Sequence, residues 1–216
     1  MDSSNNNVWL FYPNLIGYGR IVLAIVSMYY MSTAPFTAVL CYGLSAGLDA
    51  FDGWAARTYN QSSRFGAMLD QLTDRCALLA MVMALCKFYP NWLFFLQLSA
   101  VIDIASHWLH LHATDISGAT THKQSSNPIL HLYYTDRLFL GFMCGGNEAF
   151  YILLYIRAFW PGPSIFGAHL MSIFAFFAFF IAFVKTVISL VHLYTAAEMV
   201  VSHDVKLRLQ QQEKKE

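Results

Sequence analysis

Stretches of about 20 mainly apolar residues recur along this chain, and a run of that length is what an α-helix needs to cross a hydrocarbon core about 30 Å thick. Six are found, at residues 15–31, 35–57, 65–87, 92–111, 139–160 and 168–199. Because lipid offers no hydrogen bonds, a chain patterned this way folds as a helical bundle or not at all. The expected fold class is therefore all-α integral membrane, with six transmembrane helices. Residues 8–12, before Pro13, are too few to cross and read as an N-terminal interfacial segment. Composition agrees: 57% of the 216 residues are apolar and only 12% are charged, about half the share of a soluble domain. Thirteen basic and thirteen acidic side chains cancel, which gives no electrostatic reason to expect a nucleic-acid partner. The four cysteines are widely spaced, in apolar surroundings, and support neither a disulfide framework nor a zinc site.

Basic residues near span ends set the orientation. Arg57, Arg64, Lys123, Arg137, Lys206, Arg208, Lys214 and Lys215 fall on one side, and Lys87 and Arg157 on the other. Both termini are thus expected in the cytosol, as is the polar loop at residues 112–128. Residues 1–202 read as a single membrane domain and residues 203–216 as a polar cytosolic tail. Residues 1–7 lack a basic region, so no cleavable signal peptide is expected.

Against this apolar background, Asp49, Asp52, Asp70 and Asp74 stand out. A charged side chain at the centre of a membrane helix costs about 2.5 to 3.5 kcal/mol even on lenient scales, so a cluster of four needs a reason. At 100° per residue, Asp49, Asp52, Gly53 and Ala56 share a face of the second span, and Gly66, Asp70 and Asp74 share a face of the third. The short connection between these spans predicts antiparallel neighbours whose acidic faces meet. Carboxylates gathered in low dielectric call for cations. Hard divalent ions suit them, and two such ions form the clamp used for displacement at phosphorus. Gly53 and Gly66 would let a phosphate approach, Arg57 would grip it with two parallel hydrogen bonds, and Gly43 and Gly47 would let helices pack closely. Interhelical hydrogen bonding or pairing with Arg75 and Lys185 would explain one or two aspartates, but not the whole constellation. A divalent-cation transporter would also place acids inside a bundle, yet leaves Gly53, Arg57 and Gly66 without a purpose.

The run DAFDGWAAR at residues 49–57, followed after eight residues by GAMLDQLTD at 66–74, resembles the CDP-alcohol phosphotransferase signature DxxDGxxAR(x)8GxxxDxxxD at every defined position. The resemblance implies a six-helix membrane enzyme, commonly a homodimer, that displaces CMP from a CDP-linked substrate with an alcohol. It implies that Asp49, Asp52, Asp70 and Asp74 hold Mg²⁺ or Mn²⁺, two ions per site, that Asp74 is also the catalytic proton acceptor, and that Gly53, Arg57 and Ser63 hold the CDP part of the donor. Ser63 or Ser62 would serve equally as the cap of the third helix.

Beyond the signature, FYPNLIGYGRIV at residues 11–22, ASHWLHLH at 105–112, and THK, SSNPIL and YYTDR between residues 121 and 137 are similar to the eukaryotic phosphatidylinositol synthases. That likeness implies CDP-diacylglycerol and myo-inositol as substrates and residence in the endoplasmic reticulum membrane. Glycerol phosphate, serine or diacylglycerol are the alternative acceptors within the family. Asp103, His107 and His110 share a face near the cytosolic end of the fourth span. An inositol pocket there would draw on His107, His110, Lys123, Asn127 and Arg137, although a histidine at a span end is commonly interfacial.

Overall fold

The computed structural model describes residues 7–117, 136–165 and 167–214. Among them, six α-helices follow in order: α1 (Tyr12–Tyr30), α2 (Pro35–Thr58), α3 (Arg64–Phe88), α4 (Leu93–Ser117), α5 (Arg137–Phe159) and α6 (Leu170–Glu213). Short 3-10 turns at Val8–Leu10 and Pro90–Trp92 precede α1 and α4, and an antiparallel pair, β1 (Ser164–Ile165) with β2 (Ala168–His169), precedes α6.

Local chemistry sets the helix starts. Pro13 and Pro35 lie in the first turns of α1 and α2, where a missing N–H costs nothing. Pro13 therefore does not separate the preceding residues from the helix, which begins at Tyr12. Ser63 caps α3 by accepting the Gly66 N–H at 2.9 Å, and Asp136 caps α5 by accepting from the Leu138 and Phe139 N–H groups.

Two helices outrun the spans expected of them. α4 continues to Ser117, so the first residues of the expected polar loop are helical. α6 passes residue 202 without a break and ends at Glu213, because VKLRLQQQE is built largely of strong helix formers. At 1.5 Å per residue its 44 residues reach about 66 Å, twice a hydrocarbon core.

α6 shows how an apolar solvent inverts the usual burial pattern. Apart from Met171 and Ile188, its inner stripe is small or polar: Ala175, Ala178, Ala182, Lys185, Ser189, His192 and Ala196. The exposed side carries Phe174, Phe176, Phe177, Phe179, Phe180 and Phe183. Small residues let helices approach, and bulky rings cost nothing against lipid. Among the described residues, three helices are long and apolar enough to cross a membrane: Pro90–Ile116, Leu138–Phe159 and Leu170–Glu213. α1, α2 and α3 are 19, 24 and 25 residues long, and polar and charged groups of the site lower the apolarity of this half.

The helices form two groups. α1 packs extensively on α2, and α4 and α5 both pack on α6; α3 joins the groups by touching α1, α4 and α5. The buried core holds Ala38, Tyr42, Leu78, Met81, Val82, Leu85 and Tyr155. The Tyr155 hydroxyl donates to the Met31 carbonyl at 2.8 Å, tying α5 to the end of α1.

Candidate active site

The four aspartates do meet, through a residue outside the signature. α2 and α3 make little direct contact, and α1 packs against both. From α1, Arg20 reaches the meeting point: its Nη1 lies 2.8 Å from Asp49, 2.6 Å from Asp52 and 2.6 Å from Asp70, while its Nη2 contacts Asp74. Direct apposition of two acidic faces would set like charges against each other; a guanidinium between them turns repulsion into attraction. Arg20 is 1% exposed, whereas the Asp49 and Asp70 side chains are 45% and 44% exposed. Asp49 and Asp70 thus open outward and the arginine sits behind them. A lone arginine in the first apolar span was the signal available in the sequence, and it went unused there in favour of bases at span ends.

The placement of Arg20 is built in. The Ser45 hydroxyl on α2 donates to the Arg20 carbonyl at 3.0 Å, and the Ser27 hydroxyl on α1 donates to the Ala38 carbonyl at 2.8 Å. Both hydroxyls are buried, so each bond satisfies groups that lipid could not. Gly43 and Gly47, expected to mediate close packing, point away from this interface: a Cβ at either would meet nothing within 4 Å. Ser45, on the opposite side of the same turns, is what faces α1.

Signature residues around the acids serve distinct neighbours. Arg57 is exposed and folds back over Gly53, its Nη1 3.3 Å from where a Gly53 Cβ would stand. Gly66 has a different reason to lack a side chain: a Cβ there would lie 2.8 Å from Asn14 Oδ1 and 3.1 Å from Ser63 Oγ. Asn14 is buried, donates through Nδ2 to the Val8 carbonyl, and leaves its Oδ1 without a hydrogen-bond partner. Asn14, like Arg20, was not singled out from the sequence. Of the two candidate caps, it is Ser63 that caps α3.

The polar chain continues sideways. Arg75 Nη2 lies 3.5 Å from Asp74, and its Nη1 donates to both oxygens of Asp103 on α4, at 3.0 and 3.1 Å. His107 Nδ1 lies 2.7 Å from the Asp103 carbonyl, and the His110 ring stacks on His192 of α6 at 5.2 Å. Both histidines that the sequence suggested for the acceptor thus have neighbours on α4 and α6. A cavity between α3, α4, α5 and α6, lined by Arg75, Asp103, Asn147, Lys185 and Ser189, has about 10 Å³, room for a water. Lys123 and Asn127 lie outside the described residues, as does the Arg137 side chain at the start of α5.

One carboxylate oxygen from each of Asp49, Asp70 and Asp74 lies within 4.8 Å of the others. An all-oxygen, anionic donor set at that spacing fits a hard divalent cation. Four carboxylates face a single central guanidinium, which leaves a surplus of negative charge for such ions to offset.

The description CDP-alcohol phosphatidyltransferase applies to the family whose sequence model matches residues 10–160, more than half of the chain and all of α1 to α3. The chain belongs to that family. Curated members similar to it are named CDP-diacylglycerol–inositol 3-phosphatidyltransferase. The Drosophila melanogaster protein is 47% identical over 99% of this chain and 95% of its own length. The Mus musculus protein is 49% identical over 92% and 94%, and the Homo sapiens protein 47% over 93% and 95%. No solved structure matches the chain. As a CDP-alcohol phosphatidyltransferase, the protein carries its acids on the helices that the family model covers, and Arg20 and Asn14 lie inside the same matched region.

Proposed function

We propose that this membrane enzyme transfers the phosphatidyl group of CDP-diacylglycerol to myo-inositol, forming phosphatidylinositol and releasing CMP. The observation that carries this reading is identity near one half, over almost the whole of both chains, with enzymes named for that reaction. Chemistry of the site supports it. What Mg²⁺ or Mn²⁺ supplies when bound by Asp49, Asp52, Asp70 and Asp74, two ions per site, is neutralisation of the donor diphosphate. Arg57, exposed at the end of α2, grips the CDP part beside Gly53, and the capped start of α3 at Ser63 lies along it. Asp74 takes the proton from an inositol hydroxyl. That oxygen then forms a bond to the phosphorus carrying the lipid as the bond from this phosphorus to the CMP oxygen breaks in line. Arg75, against Asp74, steadies the carboxylate.

The inositol is proposed to bind at the ends of α4 and α5 nearest the aspartates, drawing on His107, His110, Lys123 and Arg137. All six helices are proposed to cross the membrane, with the aspartates and both termini facing the cytosol from the endoplasmic reticulum. Residues 1–202 would form the membrane domain and residues 203–216 the polar cytosolic end of α6; a homodimer is proposed as well.

Purified protein in detergent, given CDP-diacylglycerol, Mn²⁺ or Mg²⁺ and one alcohol at a time, tests the assignment. CMP release is expected with inositol and not with serine or glycerol phosphate; the opposite preference would reassign the acceptor. Asp74→Asn is expected to lower turnover by about 10² to 10⁴-fold, the range lost with a general base. Near-normal turnover with metal binding intact would remove Asp74 from that role.

A further inference from the structure

We infer that Arg20 is a positioning residue that competes with divalent cations for the aspartates: it secures the acidic centre from within and thereby lowers its affinity for metal. This rests on the reading of the aspartates as metal ligands. The overlap is at the level of residues. The three residues whose oxygens cluster closely enough to share an ion are Asp49, Asp70 and Asp74. Arg20 terminal nitrogens lie on an oxygen of each of these, as well as on Asp52. A carboxylate oxygen that accepts from a guanidinium is a poorer ligand, and the fixed positive charge repels an incoming cation. Divalent ions must therefore share these carboxylates with Arg20 or displace it from some of them.

Three observations separate this role from ordinary interhelical pairing. Arg20 faces four acids where a structural ion pair needs one. Its Nε is buried and has no hydrogen-bond partner, so the side chain spends its terminal nitrogens on the acids and leaves the rest of its donor capacity unused. And α2 and α3, the two carriers of the acids, touch each other little, so what brings the four carboxylates together is α1, by packing on both helices and by placing this guanidinium between them. Cations that bind the same acids would do the same work. The two are linked reciprocally: whatever Arg20 contributes to the metal-free site is subtracted from the effect of metal.

The test uses the full-length protein in detergent and reads Mn²⁺ affinity by equilibrium dialysis and thermal unfolding in chelator and in Mn²⁺, without any turnover assay. Arg20→Gln is expected to unfold at a lower temperature than wild type in chelator. It should also bind Mn²⁺ more tightly by about tenfold, within the usual range of coupling between two sites, and gain more in Tm from Mn²⁺ than wild type does. Protein that survives only with Mn²⁺ present is the extreme form of the same result. Arg20→Lys keeps a cation among the acids and is expected to retain affinity close to wild type. Unchanged or weaker Mn²⁺ binding in Arg20→Gln, or equal loss of Tm with and without Mn²⁺, would overturn the inference and leave Arg20 a purely structural ion pair. Failure of the wild type to bind Mn²⁺ would overturn the metal reading itself, and this inference with it.

Discussion

The half of the molecule built from α1 to α3 and the half built from α4 to α6 solve the same problem with opposite materials. In the first, buried contacts include Asn14, Arg20, Ser27, Ser45 and Asp52, and helices are joined by charge and by hydroxyl-to-carbonyl bonds. In the second, alanines on α6 let α4 and α5 approach, with Lys185, Ser189 and His192 among them and phenylalanines facing out. Lipid-like surroundings add no hydrophobic drive between helices, so both halves depend on close fit or on polar bonds. The difference teaches where chemistry is placed: the first half gathers four carboxylates at one point, whereas in the second Asp103 is already tied to Arg75 of α3. Three glycines, each with a different neighbour, make that contrast measurable.

Gly146 on α5 probes the fitted half and carries the largest expected effect. A Cβ there would lie 2.6, 2.9 and 3.2 Å from the Cγ2, Cδ1 and Cβ of Ile181 on α6. Ile181 is β-branched and strongly prefers one χ1 rotamer in a helix, so rotating its side chain away is disfavoured. Gly146→Ala is expected to cost up to about 3 kcal/mol, the upper end for overpacking, seen as a drop in Tm that added Mn²⁺ does not offset. Combining it with Ile181→Ala should recover most of the loss. Full stability of the single variant would show that α5 and α6 are not packed at this point.

Gly66 probes the polar half, where the expected loss is smaller in stability and larger in function. Its Cβ would meet Asn14 Oδ1 at 2.8 Å, the end of a side chain with some freedom to give. Gly66→Ala is expected to cost about 1 to 2 kcal/mol and to slow CMP release by shifting the start of α3, with Asn14→Ala restoring the Tm. Gly53→Ala is the control inside the same signature. It presses only on the flexible end of Arg57, so Tm should hold while KM for CDP-diacylglycerol rises. Equal Tm losses in the two variants would contradict the distinction between them.

The legibility of the sequence divides along the same line. Helices in the fitted half were readable because long apolar runs have one meaning, and the four aspartates were readable because their spacing fixes a helix face. Arg20 and Asn14 were not, since what gives them meaning is contact across 29 to 54 residues of chain, from Asp49 and Asp52 to Asp70 and Asp74. Periodicity along one helix carries no information about which helix inserts between two others. The same gap explains Gly43 and Gly47: a small-residue pair marks a face that permits close approach, without saying whether a helix of the same chain uses it. His107 and His110 show a shared face whose neighbour on α6, His192, comes from a distant part of the chain and could not be read from the spacing.

Gly43 and Gly47 therefore give the smallest expected effect and the sharpest check on what holds the polar half together. A Cβ at either position meets nothing within 4 Å, whereas Ser45 between them bonds to the Arg20 carbonyl. If polar bonds rather than small-residue contact join α1 to α2, Gly43→Ala and Gly47→Ala should leave Tm and CMP release unchanged, or raise Tm slightly through the better helix propensity of alanine. Ser45→Ala, which removes the bond from its buried hydroxyl to the Arg20 carbonyl, should lower stability by about 1 kcal/mol. A larger loss from the glycine variants than from Ser45→Ala would reverse the assignment, and would place a packing surface on the outward side of α2 that the described helices do not cover.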